Sequence, residues 1–443
     1  MSNHVVQTIR QKLGDSLHAP FPETVRREAT VEPLKGKAHA IIGMRRTGKT
    51  CFLYQCLADR QEQGTERERL VYFNFEDERL GSLEGEDLGL IFEEYYRSFP
   101  QFRGAACVTW CFDEIQVIPG WERFVRRILD SENVEVFLSG SSARMLSREV
   151  ATSMRGRAME TVITPFSFRE FLSAKGATTT NAGHLISAAD RSTARAHFDA
   201  FLEVGGFPEA IAFESVCSRI SLLQGYVDSV VFRDVVERHR ISNLPALRAF
   251  VRQLLRHPAT MLSVSKIHAD FRSRGLPASK ETLLAFLAHL EDAFLVFTLP
   301  LASQSERRRQ VNPRKLYLAD HGLAIAFSPA PGLDRGHLIE NLVACELARD
   351  SRDLAYVKTR SGYEVDFLAT TYAGTQQLIQ VSADISSPSV FEREVRALTE
   401  AGHEFPDAEQ ILLAETDPPR QSTVPEQITV HPVWRWLQTR AIM

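Results

Sequence analysis

Four mostly apolar runs of strand length occur in the N-terminal part of the chain. They cover residues 38–42, 70–75, 105–112 and 134–138, and a helix-compatible segment follows the first of them closely. A continuous apolar run, as opposed to an alternating one, is typical of a strand buried on both faces of a parallel sheet. The pattern therefore predicts an α/β fold with a parallel central sheet for this part of the chain.

The first run leads directly into a loop with the pattern G-x-x-x-x-G-K-T. Its two glycines let backbone N–H groups turn inward around phosphates, and the positive N-terminal end of the following helix adds to the attraction. We expect Lys49 to reach the β- and γ-phosphates of ATP and the Thr50 hydroxyl to bind Mg²⁺. The predicted nucleotide-binding residues are Gly43, Met44, Arg45, Arg46, Thr47, Gly48, Lys49, Thr50 and Cys51.

Two carboxylates follow the third apolar run. We expect Asp113 to hold Mg²⁺ through water and Glu114 to polarise the water that attacks the γ-phosphate. Both roles need a carboxylate at the carboxyl edge of a sheet, where α/β proteins bind their ligands. The acidic residues 76–78 follow the second run, and a loop or a helix cap explains them better than catalysis.

Three further residues are candidates for contact with the γ-phosphate. The fourth run ends in Ser-Gly-Ser-Ser, from which we select Ser141, although such a sequence also makes an ordinary turn. Arg155 and Arg157 flank a glycine, and a neighbouring subunit could present them to the transition state as arginine fingers. The alternative is that both are ordinary surface arginines.

Several motifs together resemble a known family. They are IIGMRRTGKT, the DEIQ of residues 113–116 with the following Pro119-Gly-Trp121, SGSSARML, the RGR of 155–157 and the PFSFREFL of 165–172. The set resembles the AAA-type P-loop ATPases of bacteria and archaea that carry a nuclease-like C-terminal domain of unknown function. The likeness runs from about residue 25 to 415. It implies ATP and Mg²⁺ as cofactors and a ring, expected to be a homo-hexamer, with nucleotide between subunits.

Residues 165–240 have a helical pattern that suits the lid of an AAA core. The Gly-Gly-Phe-Pro at 205–208 breaks the pattern, and the resemblance makes it a familiar turn of the family. Arg233 is a candidate for nucleotide contact from this lid. The alternative is an ion pair with Asp234 or Glu237 on the helix surface.

Residues 241–320 follow the order of a winged helix-turn-helix domain, with three helices and then two strands joined by a basic loop. The helices are expected at 247–255, 263–273 and 279–293 and the strands at 294–300 and 315–319. The segment holds twelve basic and six acidic side chains, although the whole chain has a formal net charge of −4. DNA contact would explain this excess, and subunit or lid contact is the alternative. The candidate phosphate-binding residues are Arg272, Arg274, Lys280, Arg307, Arg308 and Arg309.

Residues 321–416 resemble restriction-endonuclease-like domains, in which carboxylates hold Mg²⁺ and a lysine assists the attacking water. Glu340 and Asp366 match this pattern, whereas Gln380 and Ser382 replace a carboxylate and the lysine. Residues 321–443 hold ten basic and seventeen acidic side chains, which would repel a phosphate backbone. We therefore expect a nuclease fold without nuclease activity, followed by a C-terminal tail at 417–443.

Length and composition add a few constraints. A chain of 443 residues predicts several domains, which here begin with an N-terminal extension at 1–30 and an ATPase core at 31–164. The six cysteines lack C-x-x-C spacing, so a reducing compartment fits better than zinc sites or disulfides. No stretch has the length and apolar character of a signal peptide or a membrane span. We expect a cytoplasmic protein without a membrane partner.

The favoured function is a magnesium-dependent ATPase that forms a ring and moves along or remodels DNA, with branched DNA as one candidate substrate. A second hypothesis is a nucleotide-dependent switch that recruits proteins through its winged-helix or nuclease-like domain. An active DNA nuclease is the third.

Overall fold

The computed structural model describes residues 3–81, 83–140, 154, 156–177, 187–328, 334–420 and 422–440. The chain forms two compact units, Met1–Thr164 and Pro165–Met443. Within the ranges described, no helix has both the length and the apolar composition needed to cross a bilayer.

The first unit is built on a five-stranded sheet with the strand order β2-β3-β4-β1-β5. All neighbouring strands in it are parallel. The strands are β1 Ala38–Ile42, β2 Leu70–Asn74, β3 Val108–Asp113, β4 Val134–Gly140 and β5 Ala158–Val162. The helices are α1 Asn3–His18, α2 Lys49–Glu62, α3 Gly89–Ser98 and α4 Trp121–Ser131, with short 3-10 helices at Arg67–Arg69, Glu78–Leu80, Pro100–Phe102 and Ile115–Val117. The predicted α/β class with a parallel sheet is confirmed.

Apolar side chains hold this sheet between helices. Every residue of β1 and β3 is buried, as expected for strands that are covered on both faces. Helix α4 buries one face through Trp121, Phe124, Val125 and Ile128, which follow the helical repeat. Helix α1 buries Val5, Ile9 and Leu13 in the same manner, so the expected N-terminal extension includes a packed helix.

The second unit begins with helices and continues with two sheets. Its first helices are α5 Phe168–Ala174, α6 Ala188–Val204, α7 Val216–Ser229 and a π-helix Val230–Glu237, with a 3-10 helix at Pro208–Ala212. The next elements are α8 Leu244–Leu255, β6 Thr260–Leu262, α9 Val264–Ser273, α10 Lys280–Asp292, β7 Val296–Leu299, α11 Glu306–Val311, β8 Arg314–Leu318 and α12 His321–Phe327. The last are α13 Arg335–Asp350, β9 Ser351–Lys358, β10 Glu364–Thr371, β11 Gln376–Ser382, α14 Pro388–Glu404, β12 Glu409–Ala414, β13 Ile428–Pro432 and α15 Val433–Thr439.

The smaller sheet of the second unit is antiparallel and has the order β6-β8-β7. The prediction of a basic loop between β7 and β8 is wrong in one respect. Arg307, Arg308 and Arg309 lie on the short helix α11 instead. The Ser305 hydroxyl caps this helix by accepting a hydrogen bond from the Arg308 backbone N–H. A serine shortly before the arginines was the signal for a helix start.

The larger sheet has the order β13-β12-β11-β10-β9. Strands β9, β10 and β11 are antiparallel neighbours, whereas β11, β12 and β13 are parallel neighbours. Strand β13 comes from the expected C-terminal tail. Residues 428–432 of this tail form an edge strand of the sheet, and the short helix α15 follows them.

The helices of the expected lid share a core with the C-terminal helices. Phe168 and Phe171 of α5 and Phe198 and Phe201 of α6 pack in one buried cluster, whose other members include Ile339, Val343, Trp434, Trp436 and Leu437. Each aromatic side chain buries a large apolar area, which accounts for their position in a core. The first part of residues 165–240 is thus an integral part of the second unit.

One buried carboxylate fixes the turn at 205–208 against the start of α12. The two Asp320 oxygens accept hydrogen bonds from the backbone N–H groups of Gly206, at 2.7 Å, and Gly322, at 2.9 Å. A Cβ atom on Gly206 would lie 2.6 Å from the Phe166 carbonyl oxygen and 3.1 Å from Asp320. Only glycine fits there without displacing backbone.

We predict that Gly206→Ala lowers the thermal unfolding midpoint, because the added methyl forces backbone apart at a cost of about 1–3 kcal/mol. Gly225→Ala is the matched control. Gly225 lies inside α7, and no described atom outside its own stretch of helix lies within 4 Å of the position that a Cβ atom would take. Alanine should therefore leave the midpoint unchanged or raise it. Thermal unfolding followed by circular dichroism checks both, and equal midpoints for the two variants would contradict the packing argument.

Candidate functional site

The glycine-rich loop connects β1 to α2 at the carboxyl edge of the parallel sheet. Gly43 has φ 144° and Gly48 has φ 96°, values that favour glycine. A Cβ on Gly43 would also collide with the Ile163 backbone, so a side chain is excluded there on two grounds. The first turn of α2 contains no acidic residue whose charge would oppose an anion at its N–H groups. A helix start of this kind attracts a phosphate.

Lys49 lies inside the curve of the loop. Its ammonium donates hydrogen bonds to the carbonyl oxygens of Gly43, at 3.1 Å, and Met44, at 3.0 Å. Thr47 is buried and its hydroxyl also donates to the Met44 carbonyl, at 2.9 Å. These contacts hold the loop in a closed curve around the lysine. Arg45 approaches Glu76 at 3.9 Å, whereas Arg46 and Cys51 are exposed.

The structure brings the two predicted magnesium ligands together. The Thr50 hydroxyl donates to an Asp113 carboxylate oxygen at 2.8 Å, and the Tyr72 hydroxyl donates to the same oxygen at 2.6 Å. The Ser139 hydroxyl donates to the other oxygen of Asp113. A hydroxyl and a carboxylate side by side are the hard oxygen donors that Mg²⁺ prefers, so Thr50 and Asp113 fit this ion.

Glu114 follows in an unusual conformation. Its φ of 54° lies in the left-handed region, which for a non-glycine residue stores strain of order 1 kcal/mol. The Glu114 backbone N–H donates to the Ser139 hydroxyl at 3.0 Å, and Gln116 donates to its carboxylate. Burial raises the pKa of Glu114, and the nearby Lys49 ammonium opposes part of that shift. A carboxylate of raised pKa is suited to accept a proton from water.

Three residues of this site were not predicted from the sequence. Ser139 and Tyr72 hold Asp113 from the neighbouring strands β4 and β2. Arg27 is buried, and its guanidinium donates to the carbonyl oxygens of Thr47, at 2.7 Å, and Thr164, at 2.6 Å. The run of serines that begins at the end of β4 was the sequence signal for Ser139. The sequence carries no signal for Arg27.

Of the remaining site residues predicted in the ATPase core, only some lie in the described part of the chain. Ser141 and Arg155 lie outside the described residues. Arg157 forms an ion pair with Asp130 of the same chain. In the second unit, Arg233 is exposed on the π-helix.

All of the basic residues expected to meet DNA except Arg309 are exposed in the second unit. Lys280 is the first residue of α10, directly after the Ser279 cap. Arg307 and Arg308 are exposed on α11, and Arg309 contacts Asp353 at 3.2 Å. Two of the three arginines therefore have side chains available to a phosphate.

The two carboxylates of the nuclease-like pattern surround a lysine that the sequence pattern did not single out. The Lys315 ammonium lies 2.8 Å from both Glu340 and Asp366 and 3.2 Å from Glu364. Burial raises the pKa of Glu340, and the charge of Asp366 raises it further. The pKa of Lys315 is raised because the carboxylates outweigh its burial. Gln380 accepts a hydrogen bond from the Asp366 backbone at 3.2 Å and donates to Glu394 at 2.8 Å.

We predict that Ser139→Ala slows ATP hydrolysis about tenfold while the dissociation constant for ATP changes less than about threefold. One lost hydroxyl removes hydrogen bonds from both Asp113 and Glu114, and about 1.4 kcal/mol corresponds to that tenfold factor. Ser131→Ala is the control, since Ser131 is exposed and donates to the Arg127 carbonyl of its own helix. Steady-state ATPase and nucleotide-binding measurements test this prediction. An unchanged kcat in Ser139→Ala would show that Ser139 does not orient Asp113 and Glu114.

Comparison with known proteins agrees with this geometry. The family described as AAA domain matches residues 35–172, which include the glycine-rich loop and the two carboxylates. A domain of unknown function, DUF8612, matches residues 195–334.

Relatives extend the match to most of the chain. The protein MJ1544 of Methanocaldococcus jannaschii is 32% identical over 385 residues, which cover 86% of this chain and 82% of that protein. A protein of Haemophilus influenzae is 28% identical over 330 residues, which cover 74% of this chain and 78% of that one. Among solved structures, the Walker-type ATPase PABY2304 of Pyrococcus abyssi covers 72% of this chain and 95% of its own at 14% identity, with a TM-score of 0.42. From the extent of identity to MJ1544, the chain belongs to the same family as this archaeal protein, and its residues 35–172 are an AAA domain.

Proposed function

We propose that the chain is a magnesium-dependent ATPase that assembles as a hexameric ring and uses ATP hydrolysis to move along or remodel DNA, including branched DNA. The observation that carries the hydrolytic part is the contact of Thr50 with Asp113 beside the half-buried Glu114, at the edge where the glycine-rich loop lies. Phosphate-binding, cation-binding and proton-accepting groups occur together there.

Each group has a separate role in this proposal. Lys49 leaves the loop carbonyls and donates to the β- and γ-phosphates of ATP. Thr50 and Asp113 would hold Mg²⁺, which would supply positive charge to the same phosphates. Glu114 accepts a proton from the attacking water, and Gln116 and Ser139 keep its carboxylate and backbone in position.

Ring assembly is supported by the edge of the parallel sheet. Strand β5 forms this edge, and its residues Met159 and Val162 are 44% and 46% exposed. Large apolar side chains on an edge strand favour contact with another chain. Arg155 and Arg157 directly precede this strand, so a subunit interface here would bring both close to a neighbouring nucleotide.

DNA contact is supported by the elements of residues 244–318. Their order is helix, strand, helix, helix, strand, short helix and strand, which suits a winged-helix domain. In this interpretation α10 is the recognition helix, with Lys280 at its start, and Arg307 and Arg308 of α11 contact phosphates. The segment's excess of basic over acidic side chains supports the same interpretation.

The C-terminal sheet is proposed to be a nuclease-like domain that does not cut DNA. The order of α13, three antiparallel strands, α14 and a parallel strand supports the nuclease-like fold. The buried ammonium of Lys315 between Glu340 and Asp366 supports the loss of activity, because it occupies the position between the carboxylates that a metal would need.

We predict that Glu114→Gln retains ATP binding but hydrolyses ATP at least about a hundredfold more slowly than the wild type. The reason is that the amide cannot accept the proton of the attacking water. Single-turnover hydrolysis and fluorescent-nucleotide binding measure the two properties. Glu86→Gln, an exposed substitution in the same unit, should behave like the wild type. Normal turnover by Glu114→Gln would exclude this residue as the base.

We predict that duplex, single-stranded or branched DNA stimulates the ATPase, and that this stimulation falls steeply with salt because phosphate contacts release counterions. The triple variant with Lys280, Arg307 and Arg308 changed to Ala should lose most of the stimulation and keep the basal rate.

The control for this experiment is Lys35→Ala, which changes an exposed cation of the first unit. Particle mass measured with ATP on the same preparations should equal that of a hexamer. An ATPase rate that ignores every DNA added would instead favour the nucleotide-dependent switch.

A further inference from the structure

A cleft of about 440 Å³ lies in the second unit, lined by residues of α7, the π-helix, α8 and the end of α12. Its buried lining is aliphatic and includes Val227, Val231 and Val251. Its exposed lining includes three arginines at positions 248, 252 and 256, on α8 and directly after its last residue. Clefts of about 300–1000 Å³ are the usual size for ligand binding. These residues have no part in the proposed nucleotide binding, hydrolysis or winged-helix contacts.

The three arginines form one row along α8, here named the α8 arginine row. Arg248, Arg252 and Arg256 are spaced four residues apart, so their side chains leave the same face of the helix. At a rise of about 1.5 Å per residue, the first and last are separated by about 12 Å along the axis. The row is therefore long enough to contact several groups of an extended ligand.

The charge of this row is not balanced by neighbouring side chains. Among the residues that the structure describes, none of the three arginines forms an ion pair, and Arg256 donates to the Phe327 carbonyl, at 3.1 Å. Elsewhere arginines are commonly paired, as Arg60 is with Glu135 at 2.6 Å and Arg440 with Asp350 at 2.7 Å.

Acidic side chains are scarce around the row. Helix α8 contains no acidic residue in its sequence, and Asp228 is the one carboxylate among the described residues that line the cleft. Like charges four residues apart destabilise a helix, so the α8 arginine row acts against the stability of α8. Anions bound along the row would remove that repulsion.

The opposite side of the cleft has a rare backbone form. Helix α7 continues without a break into the eight-residue π-helix, and Val231 of this segment lines the cleft. Turns of π-helix in proteins occur frequently at functional sites. This feature points to a ligand independently of the arginines.

We propose that the cleft binds a row of phosphate groups, and that they belong to the backbone of a nucleic-acid strand. A guanidinium binds a phosphate through two parallel hydrogen bonds, which makes arginine better suited than lysine to this task. The row of about 12 Å equals the length of three to four base-pair steps, at about 3.4 Å each along the duplex axis. The inference rests on the proposed DNA function and adds a contact surface on α8.

The test compares two triple variants of the full-length protein. One changes Arg248, Arg252 and Arg256 to Gln, and the control changes the exposed Arg191, Arg195 and Arg352 to Gln, which removes the same charge. Fluorescence anisotropy gives the affinity for labelled single-stranded and duplex oligonucleotides between about 50 and 200 mM salt. Inorganic tripolyphosphate is tested as a second ligand.

The α8 variant should bind oligonucleotides at least about tenfold more weakly at the lowest salt. Its plot of log affinity against log salt should be shallower by about two for single strands, since each lost phosphate contact contributes about 0.7. The control variant and the basal ATPase of both variants should match the wild type. The single change Arg252→Gln, with a smaller shift in the same direction, serves if the triple variant folds poorly.

Equal oligonucleotide affinity and salt slope in the α8 variant and the wild type would overturn the inference and leave the proposed function intact. Failure of the wild type to bind any oligonucleotide would overturn both. Tripolyphosphate binding that is lost in the α8 variant, with unchanged oligonucleotide affinity, would assign the cleft to a small phosphate compound and reject the strand.

Discussion

The carboxylate of Asp113 is the group on which the geometry of the nucleotide site depends. It is only 1% exposed, and it accepts hydrogen bonds from the hydroxyls of Thr50, Tyr72 and Ser139. These hydroxyls come from α2, β2 and β4, so one side chain connects the helix after the glycine-rich loop to both strands beside β3. The network therefore fixes both Asp113 oxygens beside the Thr50 hydroxyl, where a divalent cation would need hard oxygen donors.

The same network separates the roles of two adjacent carboxylates. The Ser139 hydroxyl donates to Asp113 and accepts from the backbone N–H of Glu114. The left-handed conformation at Glu114 then directs the second side chain away from the first, towards Gln116. Asp113 has three hydroxyl donors, while the half-buried Glu114 has fewer contacts and a pKa that burial raises. The Ser139 hydroxyl bonds the carboxylate of Asp113 but only the backbone of Glu114, so the two adjacent carboxylates have different surroundings.

The parts of the site that could be predicted from sequence are those that depend on local spacing. The glycine-rich loop and the pair Asp113 and Glu114 each lie at the end of one apolar run, so the pattern along the chain places them. The contributions of Tyr72 and Ser139 depend on which strands flank β3. The strand order β2-β3-β4-β1-β5 cannot be predicted from the pattern of any single segment. Arg27 contacts carbonyls that are 20 and 137 residues distant, which no periodicity can indicate.

Long-range placement also explains why the C-terminal cluster was only half predicted. Its two carboxylates follow a local pattern, but the cation between them comes from β8, 51 residues before Asp366. Lys315 carries one positive charge towards Glu340, Glu364 and Asp366. Burial raises the pKa of Glu340, and the charge of Asp366 raises this pKa further. A divalent cation entering here would meet the repulsion of a buried ammonium that is already bonded to these carboxylates. Lys315 therefore holds Glu340 and Asp366 together in one buried ion-pair cluster.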